Sequence, residues 1–325
     1  MKESNNNKTR SILLNTINRP TPEEALSLKE KDIIKTGNKI GYKFSHKIMN
    51  SIYDVHEALM PIMESGLISM MKDTEKKNPD YYIFARDGEL IYDALWGIGQ
   101  SKEKNLEKRV YYLKTSLGMN DDKNNSKYLN EIGITKSRFK KGKEMIFIDS
   151  GFEGSLFHKV GKWTRYNKDL PNSRMDGYLV DTSKSSTFNI LNLHKLKLIE
   201  VENMTKKMKE SPYMKHANGT INTIVCAFLQ LMPKFTGRFV STYYKNGYWD
   251  VMPEENTFIR ENSIISNNHN QRTNSNQYNL IETIPYCINA DIVNPVASLL
   301  LQKKTLDYFS NPNTQDRIYD KIKKS

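Results

Sequence analysis

The sequence predicts an α/β fold: a mostly parallel, Rossmann-like sheet with flanking helices, a helical N-terminal lead-in and a mixed C-terminal region. Two observations carry this. Short apolar runs at 81–85, 109–113, 145–148 and 176–180 alternate with helical or polar segments, the pattern of strands joined by crossovers. Two of these runs, about sixty residues apart in the sequence, end in a tight turn with an acid at its tip and then enter a helix.

Four regions follow in order. Residues 1–19 are rich in Asn and charge and read as a flexible arm. Residues 20–75 form the helical lead-in. Thr21 is its first N-cap and Pro22 the first helical position. Phe44, Ile48, Ile52, Val55, Leu59 and Met63 recur every three or four residues, one apolar face of a long helix. His46 and His56 lie on or near this helix without paired acids and read as ordinary helix residues.

Residues 76–190 are the α/β core. Tyr81 to Ala85 is a strand, and Glu89 to Ile98 a helix carrying Leu90, Ile91, Ala94 and Leu95. Arg109 to Leu113 is the second strand, ending at Lys114-Thr115-Ser116. Met119 to Lys143 reads as an extended, mobile connection with a short helical patch at 126–132. Met145 to Ile148 is the third strand, followed by a helix from Ser155 to Trp163. Asp176 to Val180 is the fourth.

Residues 191–325 are the helical and irregular C-terminal region. Leu191 to Lys209 is helical in character, and Asn222 to Met232 reads as a buried helix. Tyr243, Tyr244, Tyr248 and Trp249 around Asn246-Gly247 signal a hairpin. Residues 263–279, dominated by Asn, Ser and Gln, read as a looping insertion. Val293 to Phe309 is the last helix, followed by a basic tail.

Composition narrows the function classes. No stretch approaches the roughly 18 apolar residues that a membrane span needs, so no membrane partner is expected. Met1 to Arg10 lacks an apolar signal region, so the expected location is cytoplasmic. Cys226 and Cys287 sit in apolar settings and read as free thiols, without disulfide or metal spacing. The net charge is +12, and residues 102–143 hold twelve Lys/Arg against five Asp/Glu. Such a stretch attracts polyanions, nucleic acid included. No aromatic residues are regularly interleaved to stack on bases, so a small phosphorylated sugar or nucleotide-like molecule is the favoured partner.

The chemistry concentrates at the two tips, Arg86-Asp87-Gly88-Glu89 and Asp149-Ser150-Gly151-Phe152-Glu153-Gly154-Ser155. In an open α/β sheet, ligands bind at the carboxyl ends of the strands. The glycines let the backbone turn tightly and expose N–H groups, and helix N-termini attract phosphate.

The second tip resembles a shortened ribose-phosphate loop of the type I phosphoribosyltransferases. The resemblance covers roughly residues 80–185. It implies that Asp149 holds ribose hydroxyls and that Ser150, Gly151, Gly154 and Ser155 cradle the 5′-phosphate. Ser150 stands where the family has a second acid, which Glu153 is placed to supply. Arg86 and Gly88 match a pyrophosphate-holding turn, and Lys114 with Thr115 another. Magnesium is the implied cofactor, with Asp87 and Asp149 its ligands. The catalytic residues implied are Asp149, Asp87 and Glu153, and the stretch 119–143 falls where the family carries a mobile hood.

The same segments also resemble bacterial surface-polysaccharide proteins labelled as haloacid-dehalogenase-type hydrolases. That resemblance implies a phosphatase with Asp87 and Glu89 as its acid pair. Thr115 or Ser116 would be the hydroxyl, Lys140 or Lys141 the lysine and Asp149 the magnesium acid. A third reading is a non-catalytic protein with a degenerate site that binds a polyanion or an assembly partner. Ser150, in place of the second acid, favours it.

Overall fold

The computed structural model describes residues 2–14, 19–41, 46–85, 88–101, 105–115, 119, 122–135, 144–149, 156–157, 160, 175–179, 195–198, 239–253 and 295–324. Its centre is a parallel sheet of β1 (Asp80–Phe84), β2 (Val110–Leu113), β3 (Met145–Asp149), β4 (Met175–Leu179) and β5 (Lys195–Leu198) in the order β2-β1-β3-β4-β5. β1 and β3 are buried along their whole length, which explains why their sequences are continuous apolar runs rather than alternating ones.

Side chains alternate across the sheet and build two cores. Tyr81, Ile83, Ile146, Ile148 and Val110 face one side. They meet Leu59, Leu67 and Met71 of α4 (His46–Thr74), Leu90, Ala94 and Leu95 of α5 (Glu89–Gly99), and Leu299, Leu300 and Phe309 of a helix close to the C-terminus. Tyr82, Phe84, Leu113, Met145 and Phe147 face the other side. There they pack with Tyr128 and Leu129 of α6 (Asp122–Glu131), with Phe157 and Val160, and with Val251 of a hairpin. Rings carry much of this second core: Phe84 meets Phe157 edge-on at 5.3 Å between centroids, and Tyr82 stacks on Phe147 at 5.3 Å.

The lead-in contains α2 (Pro22–Ser27) and α3 (Glu30–Lys39). The start predicted at Thr21 is a full capping box: Glu24 N donates to Thr21 Oγ1 at 3.2 Å, and Thr21 N to Glu24 Oε2 at 2.9 Å. The hairpin pairs β6 (Phe239–Lys245) with β7 (Tyr248–Pro253). Its turn residues Asn246 and Gly247 both have positive φ, 52° and 86°. That is the twist a two-residue hairpin loop needs.

Several expectations are corrected. Part of the arm at 1–19 is helix α1 (Lys2–Leu14), fastened by the buried residues Thr9 and Leu13. The stretch read as helical at 191–209 contains β5, whose Lys-Leu-Lys-Leu alternates with period two and pairs with β4. The connection 119–143 holds a ten-residue helix, α6, rather than a short patch. The helix expected to be last is α7 (Pro295–Phe309), but the tail after it folds as a further helix, α8 (Pro312–Lys323). Asn311 caps α8, Pro312 opens it, and Thr314, Ile318 and Tyr319 form its buried face. The strand order is 2-1-3-4-5, which open doubly-wound sheets use besides 3-2-1-4-5-6. Residues 222–232 and 263–279, with Cys226 and Cys287, lie outside the described residues.

α7 reaches back to the lead-in. A Cβ on Gly37 of α3 would lie 2.7 Å from Val296 Cγ2, and Gln302 Nε2 donates to the Pro20 carbonyl at 3.0 Å. Lead-in, sheet and C-terminal helices therefore share one hydrophobic core, which runs from Leu13 to Tyr319. Among the described residues no helix is long and apolar enough to cross a membrane.

Candidate functional site

The strands that lead to the two tips, β1 and β3, end at the same edge of the sheet. β1 and β3 are adjacent and parallel, paired from Asp80↔Met145 to Ile83↔Ile148. The next residues are Phe84, which ends β1, and Asp149, which ends β3. β2 lies on the other flank of β1, with Phe84 opposite Leu113, so Lys114 and Thr115 leave this edge too. The chain steps from β1 outward to β2 and returns to the opposite flank as β3. The β1/β3 gap is thus a topological switch point, where open α/β sheets hold ligands.

Gly88 is the N-cap of α5. A Cβ there would lie 2.3 Å from the Phe84 carbonyl oxygen and 2.7 Å from Ile83 Cγ2. Glycine lets the helix begin directly against the strand it follows. Tyr92 N donates to Gly88 O at 2.9 Å, the first main-chain bond of the helix. The N–H groups before Tyr92 have no carbonyl within the helix to bond.

Asp149 is 7% exposed at the end of β3. A carboxylate at a strand tip is the hard oxygen donor that magnesium takes. Lys114 is already engaged: its Nζ lies 3.0 Å from Asp250 Oδ1 of β7, and its backbone N donates to Tyr128 Oη at 2.9 Å. Thr115 is 2% exposed, and its hydroxyl has no hydrogen-bond partner among the described residues. A buried unpaired hydroxyl at a ligand edge is costly unless something bonds it.

Arg86, Asp87, Ser150, Gly151, Glu153, Gly154 and Ser155 lie outside the described residues, as do Ser116, Lys140 and Lys141. Among the described residues, no group of three or more His, Cys, Asp or Glu is arranged to hold a metal.

Sequence reasoning missed a buried charge cluster beside Gly88. The Arg19 guanidinium reaches Asp93, one turn further along α5 than Glu89, and its Nε lies 3.6 Å from Glu89 Oε2. It also sits 5.7 Å from the Tyr92 ring centroid and 5.5 Å from that of Tyr112. Glu89 accepts hydrogen bonds from Tyr112 Oη at 3.0 Å and Ser298 Oγ at 3.3 Å. Burial pushes the Asp93 carboxyl up to about 7 despite the pull of Arg19. Burial also disfavours the Arg19 charge, but Asp93, Glu89 and Tyr112 outweigh it and raise its pKa. The one signal in the sequence was an arginine set directly before the lead-in helix.

No protein-family model matches the sequence. No curated protein matches it significantly.

Proposed function

We propose that the protein binds a phosphorylated ribose at the edge between β1 and β3 and acts as a phosphoribosyltransferase-like enzyme. One observation carries the reading: β1 and β3 are parallel neighbours at the switch point, and Asp149 ends one while Gly88 opens the helix after the other. Asp149 holds the ribose hydroxyls and stabilises the positive charge that develops at the anomeric carbon. Gly151, Gly154 and Ser155 hold the 5′-phosphate, with Ser150 and Glu153 beside them. Arg86 neutralises the pyrophosphate leaving group at the Gly88 turn, and Thr115 supplies a hydroxyl to it. Magnesium, when bound by Asp87 and Asp149, supplies further neutralisation of that group.

Calorimetric titration with phosphoribosyl pyrophosphate and magnesium tests this. Binding in the micromolar range or tighter is expected, and Asp149→Asn is expected to lose transfer activity while remaining folded. Full activity in Asp149→Asn rejects the mechanism.

The phosphatase reading is weaker. Its second acid, Glu89, is only 4% exposed, accepts hydrogen bonds from Tyr112 and Ser298 and is ion-paired with Arg19. The non-catalytic reading has one observation in its favour, the Lys114–Asp250 pair, which commits a basic residue of the edge to a protein partner. Salt-sensitive binding of any polyanion, without a preference for phosphoribosyl pyrophosphate, is the result that would support it.

A further inference from the structure

We propose that Arg19 is a positioning residue for the ligand edge: it draws the Glu89 carboxylate away from the start of α5 and offsets its charge, so that the first turn of that helix is left to an anionic ligand. The inference rests on the phosphate-binding reading above and adds a residue far outside the α/β core.

Glu89 is the first residue of α5. A carboxylate there is drawn to the positive end of the helix, where it competes with any bound anion. Here both Glu89 oxygens are held from other elements. Oε1 accepts from Tyr112 of β2. Oε2 accepts from Ser298 of α7 and faces Arg19 Nε. Arg19 itself has little freedom: its side chain is 4% exposed, lies against the rings of Tyr92 and Tyr112, and reaches Asp93.

The charges balance on the same geometry. Arg19 faces two carboxylates, Glu89 and Asp93. Burial pushes the Asp93 carboxyl up to about 7 while Arg19 pulls it back down, so the one arginine offsets negative charge at both positions. A buried ion cluster adds little stability over a well-packed apolar one. Its position beside Gly88 is therefore better explained by its effect on the edge than by its effect on the fold.

The test is calorimetric titration of the full chain with pyrophosphate and magnesium at pH 6, with thermal unfolding of each variant run alongside. Arg19→Gln is expected to weaken pyrophosphate binding about tenfold, because Glu89 then competes for the helix start. Arg19→Gln/Glu89→Gln is expected to regain the wild-type affinity even if its melting temperature stays low. Unchanged affinity in Arg19→Gln, or no recovery in the double variant, overturns the proposal and leaves Arg19 a purely structural residue. Should Arg19→Gln fail to fold, the double variant is compared with Glu89→Gln: equal affinities support the proposal, and a tenfold loss on removing Arg19 rejects it. If the wild-type protein binds no pyrophosphate, the phosphate-binding reading falls and this proposal with it. Binding by wild type with no response to Arg19→Gln sinks this proposal alone.

Discussion

Lys114 Nζ lies 3.0 Å from Asp250 Oδ1, tying the end of β2 to a hairpin strand 136 residues further along the chain. Asp250 Oδ1 also accepts from the backbone N of Val251 at 2.8 Å, so one carboxylate oxygen serves both contacts. The pair engages the basic side chain of Lys114 at this edge. Asp250→Asn is expected to remove the negative charge facing Lys114, tighten pyrophosphate binding severalfold and cost roughly 1–2 kcal/mol of stability. Calorimetry and urea unfolding read the two effects. Weaker binding in Asp250→Asn would mean that the pair orients Lys114 toward the ligand.

Gly88→Ala is expected to destabilise the fold by about 1–3 kcal/mol, because the new methyl meets a strand carbonyl that cannot move aside. The backbone there has φ −88°, which any residue adopts, so the cost comes from space and not from conformation. Thermal unfolding measures it. Wild-type stability in Gly88→Ala would show that α5 does not start flush against β1.

Two buried groups are expected to oppose each other with pH. Asp93 is raised from 3.8 to about 7 by burial, so it binds a proton in the folded state that the unfolded chain has already lost. Its contribution is complete below pH 3.8 and fades as pH rises through about 7. His56 is lowered from 6.5 to about 3, first by burial and then by the charge of Lys304. Its Nε2 bonds Thr305 Oγ1 at 2.8 Å, joining α4 to α7. The unfolded chain protonates this histidine first, so its contribution is complete above 6.5 and fades as pH falls toward 3. Between about pH 4 and 6.5 the slopes have opposite signs, each up to about 1.4 kcal/mol per pH unit. Wild-type stability is expected to be nearly flat there. Asp93→Asn should make stability rise with pH, and His56→Gln should make it fall. Urea unfolding across this range checks both; parallel curves for all three proteins count against the assignment.

Arg317 of α8 holds Glu64 of α4 with two bonds, Nε to Oε1 at 2.8 Å and Nη2 to Oε2 at 2.6 Å. Tyr308 Oη donates to the same carboxylate at 2.8 Å. Glu64 is the buried partner and Arg317 the half-exposed one, with side chains 7% and 44% exposed. Arg317→Met is expected to cost about 1–3 kcal/mol, since it leaves a buried acid with only Tyr308 and the more distant Lys321. A change below about 0.5 kcal/mol would show that α8 is held by its apolar face alone.

The elements most legible in the sequence are those whose signal is local. β1 and β3 are short runs of consecutive apolar residues, Asn246-Gly247 is a turn that few other pairs can make, and Thr21 with Glu24 is a cap written within four residues. β5 was missed because a four-residue alternation is lost inside a longer polar window. α8 was missed because its lysines mask a buried face spaced at helical intervals. At the candidate site, Gly88, Lys114, Thr115 and Asp149 were recognisable as strand-end residues. The Asp250 that occupies Lys114 and the Arg19 that holds Glu89 were not, because neither has a neighbour in sequence that betrays its partner.

By itself, the sequence determined the strands β1 and β3, the turn at Asn246-Gly247 and the helix start at Thr21, since hydrophobic period, caps and turn residues act over a few positions. It also put Asp149 at the end of one strand and Gly88 at the start of the helix that follows another. Only the tertiary structure decided that β3 returns beside β1 and not beside β2, and that an arginine at position 19 and a serine at position 298 would meet over Glu89. Closing a long loop costs little more than closing a shorter one, so chain entropy leaves those partners open. Complementary packing on the two faces of the sheet selects them.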